Sequence, residues 1–209
     1  MENATSPARL VIVISGRGSN MLSIADACRD RTINATVDAV ISNNPEAEGL
    51  QLAADRNIKT HVLDHRKFSS RYAFDRALGQ LLQHLSPDWV VLAGFMRILS
   101  TELVNSWQGR MLNIHPSLLP RYPGLDTHAR ALAAGDRQHG ASVHIVTPEL
   151  DAGPIIAQSV VPVLPDDTKD SLAARVLAQE HELYVRAIGL CIQDGCHALQ
   201  FTSVKRVET

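Results

Sequence analysis

Asn113 and His115 stand two residues apart in Leu112-Asn113-Ile114-His115-Pro116, and on a β-strand that spacing turns both side chains to one face. An amide there is placed to donate a hydrogen bond to a developing oxyanion. An imidazole beside it can donate a second one or move a proton. Pro116 keeps His115 extended, and with Pro120 and Gly124 it forbids regular structure beyond, so the chain leaves its strand at the histidine. A lone histidine is more often a packing or surface residue than a reactive one. Its standing rises with Asp151, a carboxylate in the glycine-flanked turn Leu150-Asp151-Ala152-Gly153. An imidazole held by a carboxylate is more easily kept protonated, which suits an acid or oxyanion partner better than an activator of a nucleophile.

A second group lies near the start, where Gly16-Arg17-Gly18-Ser19-Asn20 follows an apolar run. Backbone N–H groups in such a strand-to-helix loop suit a phosphate. The dinucleotide fingerprint fails, because its third glycine would fall at Met21 and the next strand ends in Ser42-Asn43-Asn44 rather than an acidic ribose ligand. No Gly-Lys-Ser/Thr marks a P-loop. A loop for a single phosphate remains, with a tight turn capped by Ser19 or Asn20 as the equal alternative. Ser117 lies outside any G-x-S-x-G, which disfavours a serine hydrolase. His61, His65, Cys191 and Cys196-His197 lack zinc spacing, and no metal is expected.

The elements that must position these residues alternate regularly. Apolar runs at 10–14, 36–41, 59–63, 89–93 and 111–114 read as strands. Helical spacing follows at 21–28, 46–55, 69–85 and, capped by Ser100, at 99–106, then at 129–134 and 168–190. Strands at 141–146 and 154–163 are close enough to form a hairpin. The class is therefore α/β: a Rossmann-like, doubly wound, mostly parallel sheet with an antiparallel C-terminal portion. A single domain over 10–195 is expected, with a flexible N-terminal extension at 1–9 and a C-terminal tail at 196–209.

With 209 residues, 45% hydrophobic and 20% charged, the chain has the composition of one globular domain. A net charge of −2 supplies no basic footprint for nucleic acid. Three cysteines make no disulfide framework. No run is long enough for a membrane span or a signal-peptide core. A cytoplasmic protein with small-molecule partners, monomer or homodimer, and without nucleic-acid or membrane partners, is expected.

Ile14-Ser15-Gly16-Arg17-Gly18-Ser19-Asn20, Leu92-Ala93-Gly94-Phe95-Met96-Arg97-Ile98-Leu99 and Leu112-Asn113-Ile114-His115-Pro116-Ser117-Leu118-Leu119-Pro120 resemble the folate-dependent phosphoribosylglycinamide formyltransferases. So do Tyr122-Pro123-Gly124-Leu125, His139-Gly140-Ala141-Ser142-Val143-His144, Glu149-Leu150-Asp151-Ala152-Gly153-Pro154 and Gln179-Glu180-His181. The resemblance implies formyl transfer from 10-formyltetrahydrofolate to the glycinamide amine, the third step of purine synthesis. It implies Asn113, His115 and Asp151 as the catalytic trio. Gly18, Ser19 and Asn20 would hold the substrate phosphate, and Glu180 its ribose or glycinamide end. Arg71, Met96, Arg97, Ile98 and Leu99 would line the folate pocket with Asn113, Thr147, Pro148, Glu149, Leu150 and Asp151. Asp126 and Arg17 depart from the family's frequent His and Asn.

Two rivals share the formyl-folate chemistry. A methionyl-tRNA formyltransferase would carry a further nucleic-acid domain and a basic surface. A formyltetrahydrofolate hydrolase would carry an N-terminal regulatory domain and tends to read His-His-Ser where this chain has His115-Pro116-Ser117. A non-catalytic phosphosugar-binding module is the reading of a different class.

Overall fold

In the computed structural model the described residues are 6–194 and 206–207. The chain divides into two compact units, Met1–Met111 and Leu112–Thr209.

The first unit is built on four parallel strands: β1 (Ala8–Ile14), β2 (Ala35–Ser42), β3 (Thr60–Val62) and β4 (Trp89–Leu92). Their order is β3-β2-β1-β4. The chain thus builds outward from β1 in one direction and then returns to its other side, which puts the topological switch point between β1 and β4. Open α/β sheets bind ligands in the crevice at the carboxyl ends of such strands. Leu10 to Ile14 are at most 1% exposed, as expected of a strand covered on both faces. The connecting helices are α1 (Ser19–Arg29), α2 (Glu48–Ala54), α3 (Arg71–Leu85) and α4 (Thr101–Ser106). Ser70 caps α3 by accepting from the Ala73 N–H at 3.1 Å, and α3 buries Phe74, Leu78 and Leu82, the i, i+4, i+8 stripe of an amphipathic helix.

The second unit is carried by β5 (Met111–His115), whose first residue still belongs to the first unit, and by β6 (Gln138–Ile145) and β7 (Ile155–Pro162). Both neighbouring pairs are antiparallel, so the expected hairpin is present. Helices α5 (Thr127–Ala133) and α6 (Lys169–Asp194) complete the unit. The buried Tyr184 of α6 donates its hydroxyl to the Leu112 carbonyl at 3.1 Å, which ties the long helix to β5. Along the β5–β6 ladder Asn113 stands opposite His144 and His115 opposite Ser142.

Several boundaries differ from the sequence reading. β1 starts at Ala8, inside the expected extension, because Arg9 is fastened by its backbone N–H to Asp88 at 2.8 Å and by its side chain to Asp38 at 2.6 Å. α5 starts at Thr127, directly after Asp126 at φ 56°. Arg206–Val207, inside the expected tail, pair in parallel with β7 as β8; residues 1–5, 195–205 and 208–209 lie outside the described ones. Cys28 is free and Cys191 is disulfide-bonded. Among the described residues no helix is long and apolar enough to cross a membrane, and no group of three or more His, Cys, Asp or Glu is arranged to hold a metal.

Candidate active site

The β5–β6 register brings an unforeseen residue to Asn113. His144, 2% exposed, donates from Nδ1 to the Ile145 carbonyl at 3.0 Å. Its Nε2 lies 3.1 Å from the Asn113 amide nitrogen. Burial holds this imidazole below its usual pKa, so Nε2 keeps its lone pair and accepts from Asn113. The tautomer therefore fixes which end of the amide faces the histidine, and the second N–H of Asn113 stays available to another acceptor.

His115, 6% exposed, sits between two acceptors. Its Nδ1 is 3.4 Å from Asp151 Oδ2, and its Nε2 is 2.8 Å from the Tyr122 carbonyl oxygen. An imidazolium can donate to both; a neutral ring can donate to only one. Asp151 also accepts from the Gly124 N–H at 2.8 Å through Oδ2, while its Oδ1 lies 3.7 Å from His144 Nε2. One carboxylate thus faces both histidines. The turn that presents it is specific: Asp151 has φ 51°, and a Cβ on Gly153 would collide with the Ile145 carbonyl. Asn113, His115 and Asp151 are therefore brought together as expected, with His144 as the fourth member.

Behind His115 a buried polar network fastens the segment after it. Ser142 Oγ accepts from the Leu119 N–H at 3.0 Å and from Gln158 Nε2 at 2.8 Å, and donates to the Ser117 carbonyl at 2.6 Å. Gln158 also donates to the Leu119 carbonyl at 2.9 Å. The fully buried Ser117 gives its hydroxyl to the Arg121 carbonyl at 2.6 Å, so it has neither the exposure nor the base that a nucleophile needs. Nearby, His139 Nε2 lies 3.1 Å from His128 Nδ1, and burial lowers the His139 pKa to about 4. At the surface Lys169 holds Asp126 at 2.9 Å. Glu180 is buried on α6.

The first unit holds Gly18, Ser19 and Asn20 at the carboxyl end of β1, Met96 to Leu99 after β4, and Arg71 at the start of α3. Neither Ser19 nor Asn20 caps α1. The capping position is Gly18, at φ 76° and without a side-chain bond, because a Cβ there would come within 2.8 Å of the Gly49 Cα. Close approach of two glycines shapes this loop. Ser15, just before it, donates its N–H to the Gly94 carbonyl at 3.2 Å and accepts at Oγ from the Met96 N–H at 2.8 Å. The loop after β1 is thereby joined to the segment after β4. In that segment Met96 is 71% and Ile98 54% exposed, while Leu99 turns into the core. The Arg97 guanidinium lies over the Phe74 ring at 5.1 Å, and Arg71 opens α3 at the surface. Exposed apolar side chains beside guanidinium groups fit a flat heteroaromatic ligand with an anionic tail. In the second unit Leu150 is 50% exposed in the 147–151 turn, where the Thr147 hydroxyl donates to the Glu149 carbonyl at 3.2 Å.

The chain matches the formyl transferase family model over residues 8–188. It is 54% identical over 175 residues to the phosphoribosylglycinamide formyltransferase of Escherichia coli (strain K12), with 84% of this chain and 82% of that one covered. To the trifunctional purine biosynthetic protein adenosine-3 of Homo sapiens it is 44% identical over 183 residues, 88% of this chain and 18% of that one. Among solved structures, glycinamide ribonucleotide transformylase 1 from Symbiobacterium toebii superposes with a TM-score of 0.89 at 39% identity, covering 100% of this chain and 96% of that one. The phosphoribosylglycinamide formyltransferase of Coxiella burnetii gives a TM-score of 0.85 at 45% identity, covering 90% and 88%. The expected fold class, α/β with mostly parallel strands and an antiparallel C-terminal portion, is the observed one.

Proposed function

We propose that the chain, which belongs to the formyl transferase family, moves a formyl group from 10-formyltetrahydrofolate to the amine of 5'-phosphoribosylglycinamide. The products are the formylglycinamide ribonucleotide and tetrahydrofolate. The observation that carries this reading is the His115–Asp151 pair at 3.4 Å beside an Asn113 amide oriented by His144. Those are the groups an acyl transfer between two nitrogens requires.

Attack of the neutral amine on the formyl carbon puts negative charge on the formyl oxygen and positive charge on the attacking nitrogen. The free amide N–H of Asn113 meets the first charge, and one such donor is worth about 3–4 kcal/mol. A protonated His115, its two N–H groups held by Asp151 and the Tyr122 carbonyl, counters that charge through space. Asp151 balances the imidazolium and takes part in moving the proton from the attacking nitrogen to the leaving one. The C–N bond to the folate then breaks and the leaving nitrogen departs protonated. Gly18, Ser19 and Asn20 hold the substrate phosphate with backbone N–H groups, and Glu180 addresses its ribose or glycinamide end. Arg71, Met96, Arg97, Ile98 and Leu99 of the first unit address the folate, as does the 147–151 turn of the second. Holding both reactants in place supplies much of the remaining acceleration. The cytoplasm, as a monomer or homodimer, is the setting that fits this reading.

The test is an assay with 10-formyltetrahydrofolate in the presence and absence of phosphoribosylglycinamide. Amine-dependent release of tetrahydrofolate is expected. Equal release without the amine would make the protein a hydrolase, and phosphosugar binding without turnover would make it a binding module.

A further inference from the structure

Met96 and Ile98 stand at 71% and 54% exposure in a segment without helix or strand. Large apolar side chains in a free loop fold back onto the nearest apolar surface, so something must hold this backbone out. Two polar groups hold it, one at each end, the half-buried Ser15 and the buried Asp75. At the near end, Ser15 Oγ accepts from the Met96 N–H at 2.8 Å and donates to Asn43 Oδ1 at 2.6 Å. At the far end, Asp75 Oδ2 accepts from the Ser100 N–H at 2.7 Å. Ser100 is also the cap of α4, its Oγ accepting from the Leu103 N–H at 3.4 Å.

Asp75 is an improbable residue for a merely structural helix position. It is 2% exposed, its Oδ1 has no hydrogen-bond partner among the described residues, and burial raises its pKa above the usual carboxylate value. A buried carboxylate so incompletely satisfied is destabilising. Its neighbour Phe74 carries the Arg97 guanidinium at 5.1 Å. Consecutive residues of α3 thus support Arg97 and Ser100, and the 96–100 span is fastened at both ends.

We infer that Asp75, together with Ser15, is a positioning residue that pre-forms the 96–100 ledge for folate. The inference rests on the proposed function in taking that ledge as the folate-lining segment. Asp75 acts at the ledge alone. Ser15 also precedes the phosphate loop and so joins the two ligand-binding segments after β1 and β4.

The experiment compares the parent protein with Asp75→Ala, Asp75→Asn and Ser15→Ala, by steady-state kinetics and by direct titration with tetrahydrofolate. Asp75→Ala is expected to raise KM for 10-formyltetrahydrofolate and Kd for tetrahydrofolate about tenfold, the effect of one hydrogen bond. KM for phosphoribosylglycinamide should stay within about twofold. Asp75→Asn keeps an acceptor for the Ser100 N–H and should restore folate binding to within about threefold. If Asp75→Ala does not fold, Ser15→Ala removes the other post and should weaken tetrahydrofolate binding likewise. Unchanged folate binding in the folded variants, or equal weakening of both substrates in Asp75→Ala, overturns the inference. A parent that binds tetrahydrofolate yet transfers no formyl group sinks the proposed function and leaves the Asp75 comparison readable. A parent that binds no tetrahydrofolate overturns both.

Discussion

His115 Nε2 lies 2.8 Å from the carbonyl oxygen of Tyr122, so the ring nitrogen turned away from Asp151 is held by backbone. The imidazole is thereby locked at both ends, and its orientation depends on a segment that leaves β5 and returns seven residues later. Asp151 is locked in the same way by the Gly124 N–H at 2.8 Å. His115→Ala is expected to lower kcat by about 10²–10⁴, the range for a positioned acid or base, and Asp151→Asn by a comparable factor. Because the two act as a unit, the double variant should lose little more than the worse single one. Multiplying losses in steady-state kinetics would show that they act separately.

His144 Nε2 lies 3.1 Å from the Asn113 amide nitrogen. His144→Phe keeps the bulk and removes the acceptor that orients the amide. A fall in kcat of about tenfold is expected, one hydrogen bond's worth of orientation, with both KM values within about twofold. An unchanged kcat would mean that Asn113 keeps its orientation unaided.

Ser142→Ala deletes an oxygen that makes three buried hydrogen bonds, to Leu119, Ser117 and Gln158. The Leu119 N–H and one Gln158 N–H lose a partner where water does not reach. The loss should be about 2–3 kcal/mol, which lowers Tm by roughly 4–12 °C in a chain of this size. Thermal unfolding of the variant measures it directly.

Acidification should destabilise the protein through its buried imidazoles. His139 has its pKa lowered to about 4, and burial also lowers His144 and His128. Between the unfolded value near 6.5 and the lower folded value, the unfolded chain binds the proton and the folded one does not. Stability is therefore complete above the unfolded value and falls as pH drops below it. For His139 alone the loss is on the order of 2 kcal/mol at pH 5. His139→Asn should flatten the fall in Tm between pH 7 and pH 5, and a parallel curve would remove His139 as its cause.

The Asp126–Lys169 pair joins side chains that are 68% and 56% exposed, and screening by solvent and salt leaves such a pair little to contribute. Lys169→Ala should leave Tm and both KM values unchanged within error. A selective rise in KM for the folate would show that the pair holds the segment around Asp126 for that ligand.

The alternation of apolar runs and amphipathic stretches was enough to place every strand from β1 to β7 within a few residues, because periodicity reports local burial. The 147–153 hairpin, the capping of α4 by Ser100 and the sharing of one strand by Asn113 and His115 were legible for a similar reason: a glycine-flanked turn, a helix cap and a spacing of two are local patterns. The glycine loop was legible as a loop but not as a geometry, since its capping by Gly18 depends on Gly49, thirty-one positions away. His144 escaped notice as a partner of Asn113 because their contact depends on the β5–β6 register, and a one-residue slip would turn the imidazole to the other face. Ser15 and Asp75 were likewise ordinary polar residues until the packing of α3 and the segment after β4 put a backbone N–H against each. Side-chain identity and local spacing decide what chemistry a residue can offer. Only tertiary structure decides which donor faces which acceptor, because that follows from strand register and close packing, and neither is written in any single stretch of the chain.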